Sequence, residues 1–226
     1  MKRSKNYNNS LALIEHGKKY SVLEACELAK KTTTVKYDAA IRASFNLNVD
    51  PRQADQQIRG AIVLPNGTGR SQRILVVTQG ANIDVAKNAG ADHVGDKEIL
   101  EQVKNGWFDF DIIVATPDMM GELGKLGKVL GPKGLMPNPK TGTVTQNIAQ
   151  AVEEIKKGKV EYRVDKEGNI NCLIGKSSFD ADKLAENFEA LYGVIAKARP
   201  AAVKGQYIKS CTLSSNMGPG IKVEIV

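Results

Sequence analysis

Few side chains in this sequence could do covalent chemistry, and their spacing narrows the choice further. The two histidines, His16 and His93, lie far apart, and the three cysteines, Cys26, Cys172 and Cys211, are odd in number and widely separated. They form neither a metal-ligand cluster nor a base with an orienting partner, and no Gly-x-Ser-x-Gly turn presents a nucleophile. No metal and no cofactor is expected. Gly175-Lys176-Ser177 invites a phosphate-loop reading, but the glycine needed five positions before Gly175 is Ile170, inside a strand pattern. A solvated loop accounts for it. Asp109 and Asp111 frame an apolar strand, where acids are usually solvated caps. Strand ends of an α/β domain are also where an active site would lie, so a small α/β enzyme stays as a rival reading.

What remains suits an anion. From Gly121 to Gly142, glycine, proline and lysine interleave with Leu, Val and Met. Gly124-Lys125-Leu126-Gly127 matches the GXXG loop of KH domains in form only. An irregular loop anchored by its apolar residues explains the segment, and its lysines could still meet phosphate. Two other groups stand out. Lys36-Tyr37-Asp38 opens a long strand and sets an aromatic ring between Lys36 and Arg42. Ser214-Ser215-Asn216-Met217-Gly218 lies between the last two strand patterns. RNA is read by shape, 2′-hydroxyls and stacking, and short hydroxyl and amide groups beside an apolar plate suit that task. A hairpin turn with an exposed Met and a core Tyr fits the same residues.

The elements that must position these groups fall into two kinds. In the middle of the chain, Arg73–Thr78 and Asp111–Ala115 are continuous apolar runs, as in strands buried on both faces. Short helical patterns around Ile83–Ala86 and Ile99–Val103 alternate with them and with a brief strand at Asp92–Gly95. This is the order of a small three-layer, Rossmann-like α/β domain. Toward both ends the pattern is α+β. Ser21-Val22-Leu23-Glu24 is a capping box before a helix. Alternation from Asp38 to Val49 predicts a strand with one face in the core, and Gly60–Leu64 reads as its partner. A hairpin follows over Val160–Val164 and Ile170–Ile174, then a helix from Asp180 to Arg199 and two strands, Tyr207–Leu213 and Ile221–Val226.

Neither end has enough strands for its own core, so residues 1–66 and 160–226 are expected to form one α+β domain, an antiparallel sheet with helices. Residues 67–159 are then inserted into it. Asn66, Gly67, Gly158 and Lys159 sit at the two crossovers and are the expected hinge, because turn residues concentrate there. The chain has 226 residues and a net charge of +7, with 42% hydrophobic residues, as in a folded domain. Residues 67–159 carry 12 basic and 11 acidic side chains, which leaves +6 on the ends and places the anionic partner there. No apolar run reaches the roughly 20 residues of a membrane span. Leu11-Ala12-Leu13-Ile14 is too short for a signal-peptide core, so neither a secreted nor a membrane protein is expected. Unclustered cysteines point to free thiols in a reducing cytosol.

Several of these segments, with others, resemble a known family. Lys36-Tyr37-Asp38, Asp50-Pro51-Arg52 with Gln56 to Gly60, Asp109-Phe110-Asp111, Ala115-Thr116-Pro117-Asp118, Leu130-Gly131-Pro132-Lys133-Gly134-Leu135-Met136-Pro137-Asn138-Pro139 and Met217-Gly218-Pro219 are similar to the family of bacterial large-subunit ribosomal protein one, of the mobile stalk. The resemblance runs end to end. It implies a cytoplasmic, ribosome-bound protein, monomeric when free, that binds large-subunit rRNA at the stalk beside the tRNA exit site and assists release of deacylated tRNA. Many members also bind and repress their own mRNA. Carried over by position, the RNA face falls on Lys36, Tyr37, Arg163, Asp165, Lys166, Ser210, Ser214, Ser215, Asn216, Met217 and Gly218. Tyr37 stands where Phe is usual and Asn216 where Thr is common. Lys2, Arg3 and Lys5 would add non-specific phosphate contacts. A free RNA-binding translational regulator outside the ribosome is the other alternative.

Overall fold

Residues 3–80 and 82–224 are described by a computed structural model. In chain order the elements are α1 (Lys5–Leu11), α2 (Val22–Lys31), β1 (Ala40–Leu47), β2 (Arg59–Val63), β3 (Ile74–Val77), α3 (Asn82–Asn88), β4 (His93–Gly95) and α4 (Lys97–Lys104). Then come β5 (Ile112–Ala115), α5 (Met120–Lys125), α6 (Gly127–Leu130), α7 (Ile148–Lys156), β6 (Lys159–Arg163), β7 (Asn169–Lys176), α8 (Ala181–Lys197), β8 (Ile208–Ser215) and β9 (Ile221–Val223). The architecture is mixed α/β, with antiparallel and parallel sheets. The chain divides into a terminal unit, residues up to Gly69 and from Gly158 onward, and an inserted unit, Arg70–Lys157.

The terminal unit is built on an antiparallel sheet of order β7-β1-β8-β9. Period-2 alternation in β1 sends Ile41, Ala43, Phe45 and Leu47 inward, where they are at most 2% exposed. Along α8, Leu184, Phe188, Leu191 and Ile195 recur at helical spacing and pack on that inner face, with Phe188 stacked on Phe45 at 5.7 Å. Ala25, Cys26 and Ala29 of α2 complete the layer, and the Ser21 capping box starts that helix as expected. The outer face of the sheet stays in solvent, with Arg42, Asn171, Ser210 and Lys222 exposed. The expected pairing of β1 with residues 60–64 is corrected: β2 pairs with β6 in a separate two-stranded ribbon, and β1 lies between β7 and β8. Alternation shows that a strand is half-buried but not which strand lies beside it.

The inserted unit has a parallel sheet of order β4-β3-β5. Leu75, Val77, Ile113 and Ala115 pack with α4 and α5 on one side, while Ile74, Val76 and Val114 pack with α3 and α7 on the other. Both faces are therefore covered, as the apolar runs require. The glycine-rich stretch from Gly121 is not an irregular loop at its start. It forms α5 and α6, because Leu123, Leu126 and Leu130 fall on one helical side and are buried. The GXXG glycines thus belong to two short helices, not to a clamp.

The unit boundary lies slightly inside the expected insertion. The fully buried amide of Asn187 on α8 accepts from the Asn66 N–H (3.0 Å) and donates to the carbonyls of Gly67 (2.9 Å) and Ile174 (2.8 Å). Gly158, at φ 98, lies so close to Gly67 that a Cβ there would stand 2.6 Å from the Gly67 Cα, and Lys159 pairs with Val63. These four hinge candidates therefore belong to the terminal unit, and the chain passes between units at Gly69/Arg70 and Lys157/Gly158. Counted by these limits, the inserted unit holds eleven basic and eleven acidic residues, so the remaining sequence carries the entire +7.

Candidate nucleic-acid interface

On the outer face of the four-stranded sheet, cross-strand neighbours form rows of short polar side chains. Asn169, Asn46 and Ser210 make one row; Asn171, Ser44, Thr212 and Lys222 the next; Leu173, Arg42 and Ser214 the third. Ser44 Oγ donates to Asn171 Oδ1 and Asn46 Nδ2 to Asn169 Oδ1, both at 2.7 Å, which holds these side chains in fixed rotamers. From Ala40 to Asn46 the face runs about 20 Å at the usual rise of a strand.

The residues singled out from sequence lie at the two ends of this face. At one end, Lys36 and Tyr37 precede β1, and the segment Ser214–Gly218 closes β8 against it, with the Asn216 N–H on the Ala40 carbonyl. Tyr37 is 56% exposed, so it is not a core ring. Asp38 secures this end: its carboxylate accepts from Ser177 Oγ and from the N–H and Oγ of Ser178, all at 3.0 Å. Desolvation alone would raise its pKa, but Ser178, Ser177 and Lys176 hold it below the usual carboxylate value. Lys176 and Ser177 thus serve the end of a strand, not a phosphate loop.

Met217 is the most conspicuous side chain here. It is 78% exposed and has φ 62, the only non-glycine residue with positive φ among the described residues. The turn is closed by the Gly218 N–H on the Ser215 carbonyl, and this holds Met217 in the left-handed region at a conformational cost. An apolar side chain held out in water in a costly conformation makes Met217 a candidate contact. Ser215 is a correction. Alternation turns it inward, it is 4% exposed, and its Oγ is buried, at the spot where a Cβ on Gly218 would collide at 2.3 Å. Ser214, Asn216, Met217 and Gly218 remain available, and Ser215 does not.

At the other end, Asp165 is spent on its own turn. Its Oδ1 accepts from the N–H groups of Glu167 (2.9 Å) and Asn169 (2.8 Å), which turns the chain at Lys166. Desolvation works against its charge, yet these bonds keep its pKa low. Lys166 is exposed at the tip. Arg163 alternates with the inward Val164, which bridges Ile170, and so shares the outer side with Asn171. Arg3 and Lys5 belong to the start of α1, where Arg3 stacks on Tyr7 at 4.5 Å; Lys2 lies outside the described residues.

Between these ends lie Arg42, which the sequence sets near Tyr37, and residues that sequence reasoning did not single out: Ser44, Asn46, Asn169, Asn171, Thr212 and Lys222. Lys209 joins them, because an irregularity in the β1–β8 register leaves both Lys209 and Ser210 exposed. Their only signal was polar alternation, which any solvated strand shows. Charge supplies the missing clue. Among the described residues, Lys36, Arg42, Arg163, Lys166 and Lys222 have no ion pair, whereas Arg70 and Arg73 of the inserted unit are held by Asp109 and Asp111. The Arg73 N–H and guanidinium, with Arg70, keep the Asp111 pKa low, and both acids are ion-pair partners of these arginines.

No group of three or more His, Cys, Asp or Glu able to hold a metal occurs among the described residues. The three cysteines are free and buried, and burial pushes each thiol up to about 12, far from a reactive thiolate. Among the described residues no helix is long and apolar enough to cross a membrane. What the geometry offers is a rigid, cationic surface of hydroxyls and amides with an apolar plate at one end, suited to binding and not to turnover.

A model of the Ribosomal protein L1p/L10e family matches residues 28–219, a span that takes in β1, the inserted unit and the Met217 turn. The family is one of structural RNA-binding proteins, cytoplasmic components of the ribosome, and not of enzymes. The chain therefore belongs to the ribosomal protein L1p/L10e family and is a non-enzymatic, rRNA-binding constituent of the large ribosomal subunit.

Proposed function

We propose that the outer face of the β7-β1-β8-β9 sheet is the rRNA-binding surface, and that it grips the stalk of the large subunit beside the tRNA exit site. One observation carries this reading: an open sheet face of hydroxyl and amide groups, ringed by cations without ion-pair partners, in the unit that holds the whole +7. Ser210, Ser214, Asn216 and the central Ser44, Asn171 and Thr212 suit 2′-hydroxyls and base edges, and Tyr37 and Met217 supply stacking plates. Lys36, Arg42, Arg163, Lys166 and Lys222 meet phosphates. Five such contacts give a log–log salt slope of about −4. Filter binding of an rRNA stalk fragment over a salt series tests this, and a flat salt response would refute it.

The inserted unit then acts on tRNA. Its lysine-rich portion, residues 123–157, holds six basic and two acidic residues, and it moves about Gly69/Arg70 and Lys157/Gly158 to help deacylated tRNA leave. The same rRNA-binding face takes the leader of the protein's own mRNA and represses translation, with the protein acting as a monomer when free of the ribosome. Competition between the leader RNA and the rRNA fragment for one face tests the repressor reading, and simultaneous binding of both RNAs would overturn it.

A further inference from the structure

Beside the proposed rRNA face, at the edge of the sheet beyond β9, a cleft of 540 Å³ lies between the end of α1 and the loop at 14–18. That is within the range of about 300–1,000 Å³ typical of small-ligand sites. It is lined by the apolar Leu11 and Ile14 together with His16, Lys18, Gly220 and Lys222. Leu11 is 41% exposed, an apolar side chain that the core does not use.

We propose that this cleft receives one unpaired nucleotide of the RNA bound on the neighbouring face, its base against Leu11 and Ile14 and its phosphate toward Lys222 and Lys18. The inference rests on the face being the rRNA site and adds a subsite to it. Continuity supports a nucleotide over a peptide, since Lys222 is paired with Thr212 of the face and also lines the cleft. Charge agrees, because the surrounding unit carries the net positive charge. Glu15 also lines the cleft, but its carboxylate is held by Lys18 at 3.3 Å and so faces the RNA as half of an ion pair. The rim is preformed. Tyr20 Oη accepts from the Glu15 N–H (2.9 Å), Lys18 lies over the Tyr20 ring, and Tyr20 is bridged to Val223 of the sheet. RNA recognition commonly splays single bases out of a loop or bulge, and a mostly apolar cleft with two lysines in its lining fits one.

The test uses the full chain and an rRNA stalk fragment in which unpaired nucleotides are replaced, one at a time, by abasic residues. Leu11→Ser should weaken the intact fragment about tenfold and Leu11→Glu more, with melting curves unchanged. At one abasic position the wild type should lose the same factor, and Leu11→Ser should then add nothing. Leu11 variants that bind like wild type, or an effect that persists with every abasic fragment, would overturn the cleft. Arg42→Ala separates the two ideas: a loss with Arg42→Ala alone removes the cleft and keeps the face, whereas no loss with either removes the face itself.

Discussion

The two units of this chain solve the same packing problem in opposite ways. The parallel sheet of the inserted unit is sealed on both sides, by α4 and α5 on one and α3 and α7 on the other, and its arginines are matched to Asp109 and Asp111. The antiparallel sheet of the terminal unit takes helices on one side only and leaves a polar, unneutralised face in water. The inserted unit has a net charge of zero and the rest of the chain +7. The proposed binding surface is what a sheet keeps when nothing is packed over it and its cations have no ion-pair partner among the described residues.

The difference can be broken or sharpened by substitution. The largest effect is expected from Met217→Asp, which sets a carboxylate where phosphates approach and should weaken the rRNA fragment by about 3 kcal/mol in filter binding, with the fold intact. An unchanged affinity would remove the Met217 end from the site. Asn187→Leu strands the Asn66 N–H and the carbonyls of Gly67 and Ile174, and should cost about 2–3 kcal/mol of terminal-unit stability in urea melts. The inserted unit, which shares none of these bonds, should keep its amide-exchange protection. Arg42→Ala should cost about 1–2 kcal/mol of affinity and flatten the salt slope by about one.

A milder change is expected with pH. The pKa values of Asp38 and Asp165 are held below the unfolded value, so the stability they add is fully present above about pH 4 and is lost as pH falls through their folded pKa values. Exchange protection at Glu167 and Asn169 should therefore hold from about pH 8 to 5 and fall only below about 4. Lys140→Ala, in the neutral unit, should leave rRNA affinity unchanged within error. A loss there would undo the contrast between the units.

Much of this was legible in the sequence. The runs at β3 and β5, the capping box at Ser21 and the stripe on α8 each carry a local signal strong enough to survive tertiary context. Helix α7 is hard to read from sequence although Ile148, Ala151, Val152 and Ile155 share one side, because it follows a stretch dense in glycine and proline. The neighbours of β1 were not legible, since a ladder between residues 40–47 and strands far along the chain leaves no local mark. For the same reason the centre of the candidate face is not legible in the sequence, whereas its ends are. Ser214 and Ser215 look alike in sequence, and only the pleat sends one outward and the other under Gly218. Asn187 did leave a trace: an amide beside Phe188 on an otherwise apolar helical side asks for buried partners, and the crossover supplies them.

The central position of β1 has a consequence for synthesis. Its two partners, β7 and β8, are translated only after the whole inserted unit, and β8 ends at Ser215. A growing chain can therefore assemble the inserted unit first, as one continuous stretch, while β1 waits unpaired for residues made after that unit. The polar face and its cations come together only once β8 has been made. A chain stalled before β8 would carry the inserted unit but lack the sheet face proposed to take RNA.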